Sequence, residues 1–310
     1  MSTTVQFRLV DAFAETPYSG NPAGVVLDAD GLNDSQMQAI AREVNASETA
    51  FISGTNDLHR PPRLRWFTPG AEVGFCGHAT LAAAHAWSEM LGVRAFLGQA
   101  GAKFEFETSA GLLKVTPEII AKDEERLIWW LAMPEPKLEP DNTNPMKLTA
   151  LLGLTMDDLD ATIPIMRTRD DDLILLVQTW RALVELKPNF AELKRLCEKF
   201  KIRGVCVSTL ETLGDFAHVV SRFFAPAVGI DEDPVTGSVH GPLAALLTIN
   251  ELAPMMRDKA AINCLQGEPG GRTGMVRAIV NASSRGYQVS VGGLTHTTIR
   301  GEMLVPEATK

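Results

Sequence analysis

Four groups of residues in the chain have types and spacing that could do chemistry. Glu48 stands in Asn45-Ala46-Ser47-Glu48-Thr49-Ala50-Phe51, between a helical pattern and an apolar strand. A carboxylate beside apolar neighbours loses solvation, which raises its pKa and suits it to proton transfer near neutral pH. On position alone, a solvated glutamate at an element boundary is the simpler reading. Cys76-Gly77-His78 opens an apolar run, and a thiol at a helix start is activated by the helix N-terminus. The same cysteine equally fits as a small buried apolar residue. Asp231-Glu232-Asp233 precedes Thr236-Gly237-Ser238, and three carboxylates there could bind a divalent cation or simply favour a helix start. With no complementary ligand set elsewhere, no metal is expected. His78 could donate to a substrate or position Glu48, whereas His85, His218 and His240 read as structural.

The elements that must position these residues can be read from periodicity. Gly77 to Leu91 is apolar on nearly every side, so it is a helix surrounded by protein. Gly237 to Leu252 repeats that character. A helix start presents unpaired N–H groups and a partial positive charge, and a glycine lets a ligand come close. Two such starts could grip a carboxylate without an arginine; two ordinary helix caps fit the pattern as well. Around them, Val5–Leu9, Gly24–Leu27, Glu48–Ser53, Leu64–Thr68, Leu173–Gln178, Arg181–Lys187, Val205–Ser208 and His218–Phe224 read as strands. Ser35–Val44, Met146–Leu152 and Asn189–Phe200 read as helices with polar caps.

An internal repeat joins the two halves. Arg65-Trp66-Phe67-Thr68-Pro69 resembles Arg222-Phe223-Phe224-Ala225-Pro226, and each is followed by a glycine, a polar residue and a buried helix. A two-base racemase would need a second thiol opposite Cys76, and the alignment puts Thr236 there.

Bulk properties narrow the function classes. The chain has 310 residues, enough for two domains, and a formal net charge of −9 without a basic cluster. Nucleic acid is therefore not an expected partner. Neither GxGxxG nor a phosphate-binding P-loop pattern occurs, so no nucleotide or other cofactor is expected. The N-terminus lacks a signal-peptide pattern, no run is long enough to cross a membrane, and the 4 cysteines form no CxxC pair. A cytoplasmic protein is expected.

At these residues the sequence resembles the PhzF family, phenazine-biosynthesis isomerase-like proteins related in fold to diaminopimelate epimerase. The matching segments are Val10-Asp11-Ala12-Phe13, Gly20-Asn21-Pro22-Ala23-Gly24-Val25, Asn45 to Phe51, Arg65 to Pro69, Cys76 to Thr80 and Asp233 to Ser238. The resemblance implies an α+β fold of two pseudo-symmetric domains, each a β-barrel-like sheet around one central apolar helix. The boundaries expected are 1–118, joined by about 297–310, and 119–296, with the active-site cleft between them. It implies a general acid/base glutamate at Glu48, supported by His78, Asp233 and Ser238, and substrate binding by Asn21, Cys76, Gly77 and Gly237. That reverses the reading of Glu48 from position alone. The expected activity is a cofactor-independent isomerase moving a proton on a small carboxylic acid, in a homodimer. An amino- or hydroxy-acid epimerase or racemase using Cys76, and a non-catalytic metabolite-binding protein on the same scaffold, are the alternatives.

Overall fold

The computed structural model describes residues 4–55, 59–92, 101–120, 123–284 and 286–307. Its contacts divide the chain into two units, residues 1–132 with 292–310, and residues 133–291.

The first unit winds a sheet around one helix. Its strands are β1 (Thr4–Ala12), β2 (Asn21–Val26), β3 (Glu48–Ser53), β4 (Arg63–Phe67), β5 (Glu72–Val73), β6 (Phe104–Thr108), β7 (Gly111–Ile120) and β8 (Asp123–Ala132). The long strand β18 (Gly286–Leu304) completes it. β1 lies antiparallel to β2 and β18, β2 runs parallel to β3, and β4 pairs with β3, β5 and β6. β6, β7 and β8 form a meander, and β8 pairs with β18, which closes the ring. β8 stays with β7 through this antiparallel ladder, so the first unit ends at Ala132, beyond the residue-118 boundary expected from the sequence.

Inside the ring lies α2 (Gly77–Leu91), over the range its composition predicts. Ala79, Leu81, Ala82, Ala83, Ala84 and Ala86 are fully buried. Alanines let strands approach the helix on all sides, and they carry the best helix propensity. The helix ends at Gly92, whose φ of 62° is left-handed and costs glycine little. Outside the ring packs α1 (Asp34–Val44), amphipathic and started by a capping box between Asn33 and Gln36. Its Met37, Ile40 and Ala41 meet Val5, Val26, Phe51 and Phe67.

The second unit repeats the plan with more helix. Its strands are β9 (Leu138–Pro140), β10 (Met166–Thr168), β11 (Asp172–Leu176), β12 (Gly204–Thr209), β13 (Val219–Ala225), β14 (Ile230–Asp233), β15 (Met255–Met256), β16 (Lys259–Gly267) and β17 (Thr273–Ser283). α6 (Gly237–Ile249) is its buried helix, packed on β16 and β17. α3 (Pro145–Leu152), α4 (Trp180–Val184) and α5 (Phe190–Phe200) cover the other face of β11–β13 with a second apolar core. α4 corrects the strand expected over Arg181–Lys187. Thr179 accepts a hydrogen bond from the Ala182 N–H as an N-cap, and the buried residues Ala182, Leu183 and Leu186 follow helical spacing.

The internal repeat is structural as well as sequential. Arg65 on β4 bonds both Glu72 oxygens at 2.7 Å across to β5 and lies over the Phe67 ring at 5.0 Å. Arg222 on β13 bonds both Glu232 oxygens at 2.8 Å across to β14 and lies over the Phe224 ring at 5.2 Å. The parallel pair β2–β3 answers to β11–β12, with Ala23 opposite Glu48 and Asp172 opposite Gly204.

Candidate active site

Three of the expected residues meet in the first unit. Glu48 is the first residue of β3, where β2 and β3 begin side by side. Cys76 is the N-cap of α2, and His78 sits one residue into the helix. His78 Nε2 lies 3.4 Å from Glu48 Oε2, and His78 Nδ1 lies 3.4 Å from Cys76 Sγ. The imidazole side chain is 8% exposed and the glutamate 15%.

Burial pushes the His78 pKa down to about 4, so the ring is neutral near pH 7. A neutral imidazole donates from one nitrogen and accepts at the other. The arrangement that suits both neighbours has the thiol facing Nδ1 as donor and Nε2–H facing the Glu48 carboxylate. Among the described residues, Glu48, Cys76 and His78 are also the one group of His, Cys, Asp and Glu whose ligand atoms all lie within 4.8 Å. The ring faces Glu48 with one nitrogen and Cys76 with the other, so a metal ion taking all three residues would have to turn the ring away from one of them. The arrangement fits a proton relay better than a coordination site.

Asn21 is near these groups by the same strand pairing. It begins β2, is fully buried, and accepts a hydrogen bond from the Ser47 hydroxyl at 3.0 Å, one residue before Glu48. The start of α2 is open: a Cβ on Gly77 would meet only Leu131 Cδ2, at 3.9 Å. Neither N-cap side chain caps its own buried helix. Cys76 turns to His78, and Thr236, at the start of α6, donates to Asp233 Oδ2 at 2.5 Å.

In the second unit Asp233, Gly237 and Ser238 form their own cluster. Gln266 braces the turn, accepting from the Thr236 N–H at 2.8 Å and donating to the Asp233 carbonyl at 2.7 Å. Arg203 Nη2 donates to Ser238 Oγ at 2.9 Å, and the same guanidinium pairs with Asp172, its Nε donating at 2.8 Å. Asp172 is wholly buried; desolvation lifts its pKa, against the pull of Arg203. Arg203, Asp172 and Gln266 escaped the sequence reading. The available signal was positional: Arg203-Gly204 opens β12 where Ser47-Glu48 opens β3. The acidic triplet does not converge on one point. Glu232 is committed to Arg222 and Asp233 to Thr236.

Gly204 stands where the repeat would put a second Glu48. A Cβ there would lie 2.2 Å from Phe223 Cζ, so a larger side chain would have to displace the Phe223 ring. Thr236 likewise stands where the repeat would put a second Cys76. The two units are alike in frame and unlike in chemistry.

The structural histidines divide. His240 Nδ1 lies 2.8 Å from the Thr236 carbonyl, so that nitrogen carries the proton and Nε2 faces Ser221 Oγ as acceptor, at 3.3 Å. His218 Nδ1 accepts from the Asn263 N–H at 2.9 Å. His85 has no hydrogen-bond partner at Nδ1, which a purely structural role does not explain. Burial pushes the Cys197 and Cys206 thiols up to about 11 and about 12, so neither is an activated nucleophile.

Comparison with known proteins decides the family. The family model PhzC-PhzF, described as phenazine biosynthesis-like protein, matches residues 10–301. The chain belongs to the PhzC-PhzF family. A Clostridium acetobutylicum protein named an uncharacterized isomerase is 32% identical over 303 residues, covering 96% of this chain and 97% of the relative. The crystal structure of a Bacillus anthracis phenazine biosynthesis protein of the PhzF family superposes with a TM-score of 0.86 at 27% identity, covering 98% and 100% of the two chains. A hydroxyproline epimerase from Agrobacterium vitis superposes at 0.56 with 12% identity, covering 98% of this chain and 94% of that one. That likeness concerns the fold alone, which is the diaminopimelate epimerase-like fold expected from the sequence. The expected enzyme class, isomerase, agrees with the names of such relatives. No described helix is long and apolar enough to cross a membrane.

Proposed function

We propose that the protein is a cofactor-independent isomerase in which Glu48 moves a proton between carbons of a small carboxylic acid. The observation that carries this reading is the contact of Glu48 with the buried, neutral His78, at 3.4 Å. A neutral imidazole next to the carboxylate can donate to it when it is ionised, or be repositioned by substrate, without adding a charge. Glu48 takes the proton from one carbon and returns it to another, and one group serves as base and then acid. The proton count closes within the substrate, so the cycle needs no oxidant and no co-reactant.

The open start of α2 at Gly77, with N–H groups that its N-cap side chain does not cover, is the assigned place for the substrate carboxylate. On the family resemblance, Asn21 and Cys76 are assigned to the same binding role. On the family resemblance, Asp233, Gly237 and Ser238 are assigned to the same reaction, with Ser238 oriented by Arg203. A homodimer belongs to the proposal on the same ground.

The epimerase reading keeps one supporting observation, Cys76 Sγ at 3.4 Å from His78 Nδ1. Against it stands Thr236 at the matching position, which leaves a two-thiol mechanism without its second thiol.

Glu48→Gln tests the proposal. It keeps the side-chain shape and removes the titrating oxygen. Calorimetry should show substrate bound within a few-fold of wild type, while kcat falls by about 10²- to 10⁴-fold, the usual worth of a positioned general acid–base. Unimpaired turnover in that variant would end the assignment.

A further inference from the structure

About 10 Å along α2 from His78, two turns on, the helix borders a second site that the isomerase reading does not use. A cavity of about 320 Å³ lies there, lined by Arg8, His85, Ser88, Glu89, Leu127 and Arg300 among others. A neighbouring cavity of about 210 Å³ shares His85, Glu89, Leu127 and Arg300 and adds His296. The larger of the two reaches the lower end of small-molecule sites.

The polar atoms around the cavities are incompletely used. His85 is 8% exposed, its Nδ1 has no partner, and its Nε2 lies 3.4 Å from Glu89 Oε1, short of a formed hydrogen bond. Arg8 Nε and His296 Nε2 are buried and also lack partners. Buried polar groups in folded proteins are nearly always satisfied, so unsatisfied nitrogens of Arg8, His85 and His296 around two adjoining cavities point to a missing polar ligand.

Glu89 does not take that role, because its oxygens are already occupied. Thr297 Oγ1 donates to it at 2.9 Å and Arg300 Nη2 at 2.6 Å. Desolvation works against its ionisation, yet the nearby His85 ring and the hydrogen bonds from Arg300 and Thr297 prevail and bring its pKa down to about 2. Arg126 is paired with Glu15 at 3.1 Å and adds no net charge. Two guanidinium groups, Arg8 and Arg300, therefore face one carboxylate, leaving the lining with one excess positive charge. Leu127 supplies an apolar wall.

We propose that this cavity is a binding site for a small oxyanion, carboxylate or phosphate, held by the Arg8 and Arg300 guanidiniums with His85 donating from the helix side. Guanidinium forks match both oxyanions geometrically. Occupancy ties α2 to β1 and β18, the strands that carry Arg8 and Arg300. Bound anion should therefore raise the melting temperature.

The test is isothermal titration of the full chain with inorganic phosphate and, separately, with malonate, at matched ionic strength, with melting curves alongside. Wild type should bind at least one of the two saturably and melt higher with it. Arg8→Gln and Arg300→Gln should each weaken that binding at least tenfold, while Glu48→Gln leaves it unchanged. Binding of phosphate alone assigns a phosphate ligand, binding of malonate alone a carboxylate, and binding of both a general oxyanion site. If Arg8→Gln does not fold, Arg300→Gln carries the test, since the Arg300 side chain is 60% exposed. Absence of saturable binding, or binding equally tight in the arginine variants, would overturn the proposal.

Discussion

At the scale of single residues, the account turns on which of three touching groups carries the proton. Glu48, His78 and Cys76 form a chain with two contacts of 3.4 Å. If the thiol is a neighbour rather than the acid–base, Cys76→Ser should retain turnover within about tenfold, since a hydroxyl can face His78 Nδ1 as the thiol does. A loss on the scale expected for Glu48→Gln would return the chemistry to the cysteine. The histidines add a stability signature. His78 and His240 are both pushed down to about 4 by burial, from an ordinary 6.5. Between those values the unfolded chain takes up protons that the folded chain refuses. Stability therefore falls as pH drops from 6.5 towards 4, by about 1.4 kcal/mol per pH unit for each histidine. His240→Asn should lower stability at neutral pH, because it disturbs a buried hydrogen bond. It should also flatten the pH dependence by one proton, as read from urea midpoints across that range. A slope unchanged by the substitution would show that His240 is protonated in the folded chain.

At the scale of elements, the repeat explains what was legible. The two buried helices could be read because alanine and leucine fill every face of Gly77–Leu91 and Gly237–Ile249, a pattern no surface helix shows. The aromatic strands could be read because Arg65 to Pro69 and Arg222 to Pro226 keep the same order of residue types. What could not be read was pairing across the chain. Arg203 reaches Ser238 and Asp172 only because β11 and β12 run parallel, and no local pattern announces that register. α4 was misread because a five-residue helix leaves too few positions to separate a helical period from alternation. The repeat also sets unequal demands. Arg222 is 6% exposed and, besides Glu232, donates to the carbonyls of Leu183, Val184 and Leu186. Arg65 is 15% exposed, and its further carboxylate partner is Asp34, which is 80% exposed. Arg222→Met should cost about 3–5 kcal/mol, the range for breaking a buried pair, and Arg65→Met distinctly less. Equal losses in urea unfolding would contradict this. Gly204→Ala should cost about 1–3 kcal/mol, because its Cβ would meet the Phe223 ring. The same unfolding curves measure it, and a neutral effect would show that the ring moves aside.

At the scale of the whole molecule, family and fold are settled by a match over residues 10–301 and by superposition on a PhzF-family structure at a TM-score of 0.86. The fold hosts different chemistries, so the reaction has to be argued from the site. Here the two units differ in chemistry. One unit holds a carboxylate, imidazole and thiol at its helix start, while the other holds Gly204 and Thr236 at the matching positions. A single acid–base group returning a proton within one substrate fits that asymmetry, whereas a two-base exchange does not. The most direct measurement is proton NMR in D₂O of small unsaturated and cyclic carboxylic acids with wild type, Glu48→Gln and Cys76→Ser side by side. The account predicts isomerisation or deuterium uptake with wild type and with Cys76→Ser, and none with Glu48→Gln. Exchange that persists in Glu48→Gln but disappears in Cys76→Ser would contradict it.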